Sequence, residues 1–366
     1  MRWRWQDRLA FRVAFRMNRR QFADLRGGPI TPPSLSLPDL FVTAVSVVML
    51  LGVIVLAVLG VYVAFFTEIF FPWLIGGVLV LIAIALRPRF GKLDKQAREL
   101  DRADAPELFR LIDQVSAAIG TKPPHVVLAS HRMNASAGAY GVRRRRVLKL
   151  GMPLWAVLTP QQRVALLGHE LGHFVNGDVA ASPLNSMAFT TLAALSDMTV
   201  PTYNRGLIEW FAGLMMTVFH EGFAAAQICV TAMALRSRQR AEYYADSLSA
   251  WAGGTEAAVG LLDVALLHEG MYTMVRAAAR RSDHATDWVA AGRTAQAELA
   301  SRIPRLRQLD KRDSASLFVT HPPSGLRAQM LESRPYVAPA VVLTESVSAA
   351  IDAELAKPYR YMIQNT

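Results

Sequence analysis

Cysteine and lysine are the residues that this chain lacks most. Cys229 is the only cysteine among 366 residues, which excludes a disulfide within the chain and a zinc site built from cysteines. We interpret Cys229 as a small buried apolar residue, and the scarcity of cysteine fits a reducing compartment. Lysine occurs only six times, so arginine supplies most of the 40 basic residues behind the net charge of +11. The sequence also has no internal repeat and no glycine-rich phosphate loop.

Two long stretches contain no charged residue at all. Residues 40–66 and 69–86 are free of Asp, Glu, Lys and Arg. At a rise of about 1.5 Å per residue, the first stretch is long enough to span a bilayer. The sequence therefore predicts a transmembrane hairpin over 40–86. Basic residues flank this hairpin on both sides and are missing from its turn, which predicts that both flanks are cytoplasmic.

The first 26 residues carry eight arginines interleaved with apolar and aromatic residues. This composition favours a segment that lies on a membrane surface, with a transit peptide or a disordered cytoplasmic tail as alternatives. A second arginine cluster occupies residues 143–146. A strand would split those four charges between two faces, so we interpret them as a hairpin tip near anionic lipid. We expect no nucleic-acid partner, because the arginine clusters accompany apolar segments.

A helix is predicted from residue 159 onward. Thr159 can cap it, Pro160 suits its first position, and Gln162 lies where a capping box places Glu or Gln. Apolar residues then recur at helical spacing, so one face of the helix is apolar.

The same helix carries a metal-binding pattern. His169 and His173 are four residues apart, so both imidazoles lie on one face and can bind a single ion. Glu170 can reach a water at the metal without being a ligand itself. Catalytic zinc usually has three protein ligands and one open position, so a third ligand must come from elsewhere in the chain. The sequence predicts a zinc site here.

Glu242 and Asp246 are candidates for completing that site. They lie four residues apart on a predicted helix and therefore share a face. The same pattern is also typical of a surface helix with mixed charges. Residues 181–235 lie between the histidines and these two acidic residues. This segment is predicted to form an apolar helical hairpin that either enters the membrane or packs against it.

The remaining segments predict a mainly helical fold with a small β-sheet, plus transmembrane helices. Residues 92–120 and 255–309 are expected to be helical. Strands are expected over 122–128 and in the hairpin that follows Asn134. We interpret His268 as a residue that binds no metal, because it belongs to no partner pattern.

Four stretches together resemble the membrane-bound gluzincin metalloproteases, typified by the HtpX heat-shock protease and, more distantly, by the CAAX prenyl proteases. The matching stretches are residues 134–137, 158–178, 242–246 and 320–327. The resemblance implies an α+β zincin-like catalytic domain with one Zn²⁺ per chain. It further implies that the third metal ligand is Glu242.

The resemblance also implies roles for residues around the metal. Asp246 would orient a ligand histidine. His321 and Arg327 would act in catalysis by stabilising the oxyanion. An added substrate strand would pair with the edge formed by Asn134, Ala135, Ser136 and Ala137.

The expected function is that of a zinc metalloendopeptidase, with Glu170 as the base. We expect a multi-pass protein of the inner (plasma) membrane whose N-terminus and catalytic domain are cytoplasmic, acting on membrane proteins in quality control. The alternatives are a prenyl-protein protease of the CAAX type and a catalytically silent zinc-binding scaffold. The partners are peptide or protein substrates and the lipid bilayer. The expected segments are a basic tail and linker (1–39), the hairpin (40–86), the catalytic domain in two parts (87–180 and 236–335), the apolar hairpin (181–235) and a C-terminal tail (336–366).

Overall fold

A computed structural model describes residues 5–363, except positions 33, 35, 69, 88–95, 142–143, 176–182, 202–205, 282–284 and 314–320. The chain divides into two compact units, each assembled from stretches that are distant in sequence. The first unit comprises residues 1–14, 34–91 and 179–237. The second unit comprises residues 15–33, 92–178 and 238–366.

Helices dominate the described residues. In chain order they are α1 (Trp5–Arg26), α2 (Leu37–Phe66), α3 (Pro72–Leu86), α4 (Pro106–Ala118), α5 (Met152–Val157), α6 (Pro160–Val175), α7 (Pro183–Met198), α8 (Leu207–Gly253), α9 (Thr255–Leu266), α10 (His268–Ala279), α11 (Ala285–Leu299), α12 (Ile303–Asp313), α13 (Ser324–Glu332), α14 (Glu345–Glu354) and α15 (Ala356–Ile363). The strands are β1 (Arg98–Leu100), β2 (Val126–Ser130), β3 (Ala135–Tyr140) and β4 (Arg145–Gly151). The predicted class, mainly α with a small β-sheet and membrane helices, is confirmed.

The first unit contains the apolar helices α2 and α3 and the apolar part of α8. Within the described residues, α2 and α8 are long and apolar enough to cross a membrane, and the bent pair α9 and α10, which belongs to the second unit, would be a third candidate. Helix α3 has 15 residues, which is shorter than a bilayer core requires. Residues 40–86 thus form a helical hairpin with one long and one short arm.

Helices α2 and α3 pack closely because small residues face each other. A Cβ added to Gly60 would lie 2.9 Å from the carbonyl oxygen of Gly76. A Cβ on Gly76 would lie 2.6 Å from the Cβ of Ala64 and would also collide with the Gly60 carbonyl. Glycine at both positions therefore permits a backbone approach that any side chain would prevent.

A carboxylate fixes the beginning of α2. Asp39 accepts hydrogen bonds from the backbone nitrogen of Ser36 at 3.0 Å and from its hydroxyl at 2.6 Å, which forms a capping box. The hydroxyl of Ser237 on α8 donates to the same carboxylate at 2.8 Å. One side chain therefore caps α2 and connects it to α8.

Helix α8 differs from the expectation in two ways. It continues through position 236, where we expected the apolar hairpin to end, because no proline or glycine interrupts residues 223–252. The interpretation of Cys229 as a buried residue is wrong, since the side chain is exposed. The neighbouring Val230 and Ala234 occupy the packed face with Val42 of α2, and successive residues on a helix point about 100° apart.

The second unit contains a four-stranded sheet in the order β1-β2-β4-β3. Strands β2 and β4 are parallel, whereas β1 pairs antiparallel with β2, and β3 pairs antiparallel with β4. The hairpin of β3 and β4 begins with Ala135 opposite Leu150. Strand β3 lies at the edge of the sheet, and no other strand in the described part of the chain pairs with its outer side.

The helix expected over 92–120 is shorter than predicted. Residues 98–100 form strand β1, and helix α4 begins only at Pro106. A residue that precedes proline is disfavoured in helical conformation, and proline suits the first helical position. The proline therefore sets the beginning of this helix.

The C-terminal residues form part of the core rather than the tail we expected over 336–366. Ile351, Leu355 and Tyr359 are fully buried in the main hydrophobic cluster of the second unit. The buried guanidinium of Arg163 on α6 donates to the hydroxyl of Ser348 at 2.7 Å and pairs with Asp352 at 3.0 Å. The three apolar residues recur at intervals of four, which gives this segment a helical apolar face.

The N-terminal segment is also packed. Leu25, near the end of α1, is buried against Tyr243 of α8 and Met330 of α13. The guanidinium of Arg334 donates to the carbonyl oxygens of Leu25 at 2.7 Å and of Gly28 at 2.8 Å. Part of the expected 1–39 tail therefore belongs to the folded second unit.

Candidate active site

Helix α6 begins with the capping arrangement that the sequence predicts. The backbone nitrogen of Thr159 donates to Oε1 of Gln162 at 3.0 Å, and the nitrogen of Gln162 lies 3.4 Å from the Thr159 hydroxyl. Nearly every residue of α6 up to Gly172 is buried, so the helix crosses the interior of the second unit. His169 and His173 lie on one face, with ring centroids 4.9 Å apart.

Two glycines allow α8 to approach this face of α6. A Cβ on Gly168 would lie 2.9 Å from the Cβ of Ala252 and 3.1 Å from the carbonyl of Leu248. A Cβ on Gly172 would lie 3.3 Å from the Cα of Ala245. Glycine immediately before each histidine therefore brings the two helix backbones together and carries the acidic residues of α8 to the imidazoles.

Glu242 is buried beside both histidines. Its Oε2 lies 3.7 Å from Nε2 of His169, and its Oε1 lies 3.8 Å from Nε2 of His173. One ligand atom from each residue lies within 4.8 Å of the others. The structure thus brings together the three residues that the sequence analysis assigned to the metal.

Asp246, one turn further along α8, contacts the other nitrogen of His169. Its Oδ1 lies 3.1 Å from Nδ1 of His169, while Arg327 donates to both carboxylate oxygens at 2.6 and 2.8 Å. A carboxylate only accepts hydrogen bonds, so this contact favours the tautomer with the proton on Nδ1, which leaves the lone pair of Nε2 for an ion.

His321 lies beside Glu242. Its Nδ1 donates to Oε2 of Glu242 at 2.6 Å, and the side chain is 44% exposed. Arg327 is buried, and its Nε and Nη2 are both engaged by Asp246. The two residues expected to act on the oxyanion therefore differ in accessibility, because His321 is partly exposed whereas Arg327 is buried and already bound to Asp246.

Burial and nearby cations determine the charge of the two carboxylates on α8. Burial alone would raise the pKa of Glu242, but His321 and Arg327 outweigh it and hold that pKa well below its usual range. Burial would also raise the pKa of Asp246, and Arg327 again reverses the shift. Both groups are therefore anionic at neutral pH, as cation binding and hydrogen-bond acceptance require.

A cavity of about 190 Å³ opens beside the histidines. His169, Glu170, His321 and Arg327 form its polar side, and Asn134 and Ala135 form one edge. His268 and Ser324 also line it, and the other lining residues are apolar: Met133, Leu154, Leu166, Leu261, Leu262, Val264 and Ala265.

The structure does not bring every predicted residue to this cavity. Ser136 and Ala137 continue along β3 and are not part of its lining. His268, which we interpreted only as a residue that binds no metal, does line it. No local sequence signal marks His268, because its proximity arises from the packing of α10.

The fold and the site together indicate the class of protein. Two histidines and a glutamate on a helix, with a second glutamate supplied by a later helix, form a metallopeptidase-like centre. The profile of peptidase family M48 matches residues 102–335, and the chain belongs to that family.

The chain is also similar to individual proteins. The chain is 27% identical over 287 residues to the protease HtpX homolog of Archaeoglobus fulgidus, covering 76% of this chain and 80% of that protein. It is 30% identical over 92 residues to the protease HtpX homolog of Syntrophobacter fumaroxidans, covering 24% of this chain.

A third relative, protease HtpX of Pseudomonas fluorescens, is 24% identical over 171 residues, covering 45% of this chain and 57% of that protein. The matches to the homologs from Syntrophobacter fumaroxidans, Moorella thermoacetica and Bifidobacterium longum span only 32%, 41% and 44% of those proteins. No solved structure matches the chain.

Proposed function

We propose that this protein is a zinc-dependent, membrane-bound endopeptidase that hydrolyses peptide bonds at the cytoplasmic face. The observation that carries the proposal is the convergence of His169, His173 and Glu242 into one group of possible ligands, with His169 and the adjacent Glu170 lining an open cavity. A purely structural zinc site is usually closed by four protein ligands and needs no adjacent carboxylate.

The donor set fits zinc. Two imidazole nitrogens and one carboxylate oxygen are typical ligands of catalytic zinc. Oε2 of Glu242 lies 3.7 Å from Nε2 of His169 and Oε1 lies 3.8 Å from Nε2 of His173, which is close enough for all three residues to hold one ion. When bound there by His169, His173 and Glu242, zinc supplies Lewis acidity.

Glu170 is proposed as the proton carrier. It follows His169 on α6, is buried, and lines the cavity, so its carboxylate can take a proton from an attacking water. The same group can then return the proton to the leaving amine. His321 lines the cavity and donates from Nδ1 to Glu242, and it is proposed to stabilise the developing oxyanion as an imidazolium, whose second N–H is available.

Asp246 and Arg327 are proposed as positioning residues. Asp246 accepts from Nδ1 of His169 and thereby fixes the orientation and tautomer of that ring. Arg327 holds Asp246 through two parallel hydrogen bonds and balances its buried charge.

The proposed substrate is an extended segment of a protein. The outer edge of β3 begins at the cavity with Ala135, where a peptide can add as a further strand. The apolar wall of the cavity suits an apolar side chain next to the bond that is cut. The two helices that are long and apolar enough to cross a membrane, and the basic flanks of the 40–86 hairpin, support a role in membrane-protein quality control on the cytoplasmic side.

The cavity lining favours this function over a prenyl-protein protease. Its described residues belong to 133–135, 154, 166–170, 261–268 and 321–327, and none comes from the apolar residues 37–66 or 207–235. A cavity within the membrane that accepts a lipidated substrate would be lined by residues of these two apolar segments. Five lining residues do lie in the bent pair α9 and α10, but these helices belong to the second unit together with His169 and Glu170, so the cavity resembles a cleft in that unit.

The test is a comparison of Glu170→Gln with wild type in detergent or nanodiscs, using casein and a quenched fluorescent peptide. We expect zinc content, measured by mass spectrometry, to remain one per chain while cleavage falls at least about 100-fold. Glu256→Gln, an exposed change of the same type on α9, serves as the control. Wild-type protein that carries zinc but cleaves nothing would support the silent scaffold, and full activity of Glu170→Gln would exclude the proposed role of Glu170.

A further inference from the structure

His268 contacts the backbone that leads into the substrate edge. It is the first residue of α10, and its Nε2 lies 2.9 Å from the carbonyl oxygen of Met133. A carbonyl oxygen only accepts hydrogen bonds, so Nε2 must carry a proton and donate it. Met133 immediately precedes Asn134 and Ala135, and all four residues line the same cavity.

The chain makes a tight bend at this point. The backbone nitrogen of Asn134 donates to the carbonyl of Arg132 at 2.8 Å, and β3 begins one residue later. Gly151, at the end of β4, lies directly against the bend, since a Cβ there would collide with the carbonyls of Arg132 and Asn134. The backbone of β4 thus supports one side of the bend, and His268 holds the Met133 carbonyl.

His268 is itself restrained. Its ring stacks on Tyr272, one turn further along α10, with centroids 6.2 Å apart and an interplanar angle of 14°. The ring contact with Tyr272 and the hydrogen bond to Met133 together limit the rotation of the imidazole, although the residue is exposed. The donor is anchored on a helix rather than on a loop, which suits a positioning role.

We infer that His268 is a positioning residue for peptide binding: it holds the Met133 carbonyl and so sets the start of the β3 edge on which substrate backbone lies. This inference rests on the proposed function. His268 does not belong to the metal-binding group, and it contacts neither Glu242 nor Asp246 through any hydrogen bond described for the site. Its loss should therefore weaken substrate binding more than the chemical step.

The experiment compares His268→Met with His268→Gln in the full-length protein. Methionine removes the donor, whereas the amide nitrogen of glutamine can donate near the position of Nε2. One lost hydrogen bond corresponds to about a two- to tenfold change, so we expect KM of a peptide substrate to rise about fivefold in His268→Met with kcat nearly unchanged. His268→Gln should restore KM to within about twofold of wild type.

A matched control comes from the far end of the same sheet. His125 is exposed, and its Nδ1 accepts a hydrogen bond from the backbone nitrogen of Arg146 at 3.0 Å. His125→Met therefore also removes a histidine–backbone contact of the sheet, but away from the cavity. It should leave KM and kcat unchanged.

A second measurement separates this inference from the proposed function. In the Glu170→Gln background, affinity for an uncleaved fluorescent peptide should fall about fivefold when His268→Met is added. An unchanged KM in active His268→Met, or an equal fall in kcat with KM constant, would overturn the positioning role. Absence of cleavage by wild-type protein would instead count against the proposed function, and the peptide-binding comparison would still decide the role of His268.

Discussion

Arg327 donates to both carboxylate oxygens of Asp246, from Nε at 2.8 Å and from Nη2 at 2.6 Å, and both side chains are buried. The same carboxylate accepts from His169 at 3.1 Å. A residue of α13, distant in sequence from both partners, therefore fixes a carboxylate that orients a proposed metal ligand. Such bidentate pairs are strong and directional, and breaking one member leaves a buried charge without compensation.

Arg327→Ala should therefore destabilise the second unit by about 3–5 kcal/mol and reduce zinc affinity about 10- to 100-fold. Arg327→Lys keeps the charge but loses the fork geometry, so its effects should be intermediate. Chemical unfolding in detergent and zinc competition with a chelator measure the two quantities. Arg110→Ala, which breaks an exposed pair with Glu107, should change stability by less than about 1 kcal/mol. Equal stability of Arg327→Ala and wild type would contradict the structural role.

Glu242 and His321 touch each other at 2.6 Å but should behave differently when replaced. Glu242→Gln should lose most bound zinc, because an amide replaces an anionic ligand. His321→Ala should keep its zinc and lower kcat by roughly 100-fold, since it removes the proposed donor to the oxyanion. Metal analysis beside steady-state kinetics distinguishes the two. Loss of zinc from His321→Ala would show that this residue holds the metal rather than the oxyanion.

The packing of α2 against α3 should depend on Gly76 but not on the neighbouring Gly77. Gly76→Val places a branched side chain against the backbone of Gly60 and Ala64, so α3 should separate from α2 and thermal stability in detergent should fall. Gly77→Val is the matched control, because nothing lies within 4 Å of a Cβ at that position. If both variants melt like wild type, the two helices do not pack as described.

Arg163→Ala should weaken the packing of the C-terminal helices against α6. The guanidinium is almost completely buried and pairs with Asp352, so its removal should cost about 3–5 kcal/mol at neutral pH. Burial already raises the pKa of Asp352 even with Arg163 beside it. The raised pKa means that the folded protein binds this proton more tightly than the unfolded chain does.

The resulting pH dependence has a definite sign. The stability that this tighter proton binding contributes is fully present below the unfolded pKa of about 3.9 and is lost as pH rises through the raised folded pKa. A protonated Asp352 needs no counter-ion, so the deficit of Arg163→Ala should shrink as the pH is lowered through this window. Urea unfolding of both proteins from pH 4 to pH 8 measures it. A deficit that is constant with pH would show that the lost contacts of Arg163 with Trp155 and Ser348 dominate instead.

Patterns of residues close together in the sequence predicted those parts of the fold that depend only on neighbouring residues. The cap formed by Thr159 and Gln162, the shared face of His169 and His173, and the uncharged stretch of α2 are all set by helix periodicity and length. The two glycines that let α8 approach α6 were present in the sequence, but their packing role required knowledge of the partner helix.

Contacts between distant residues were not predictable in the same way. The pairing of Glu242 with the histidines came from resemblance, because mixed charge on a helix does not specify a partner. The burial of Ile351 and Leu355 and the position of His268 in the cavity depend on how whole helices dock. Cys229 was misplaced because its helix is apolar all round, so composition could not distinguish the packed face from the exposed one.

The open edge of β3 has a consequence for selectivity. Strand addition satisfies the backbone N–H and C=O groups of the added segment, and those groups are the same for every sequence. In a folded protein they are already paired within helices and sheets. An enzyme that recognises its substrates at such an edge distinguishes an unfolded segment from a folded one before it distinguishes one sequence from another.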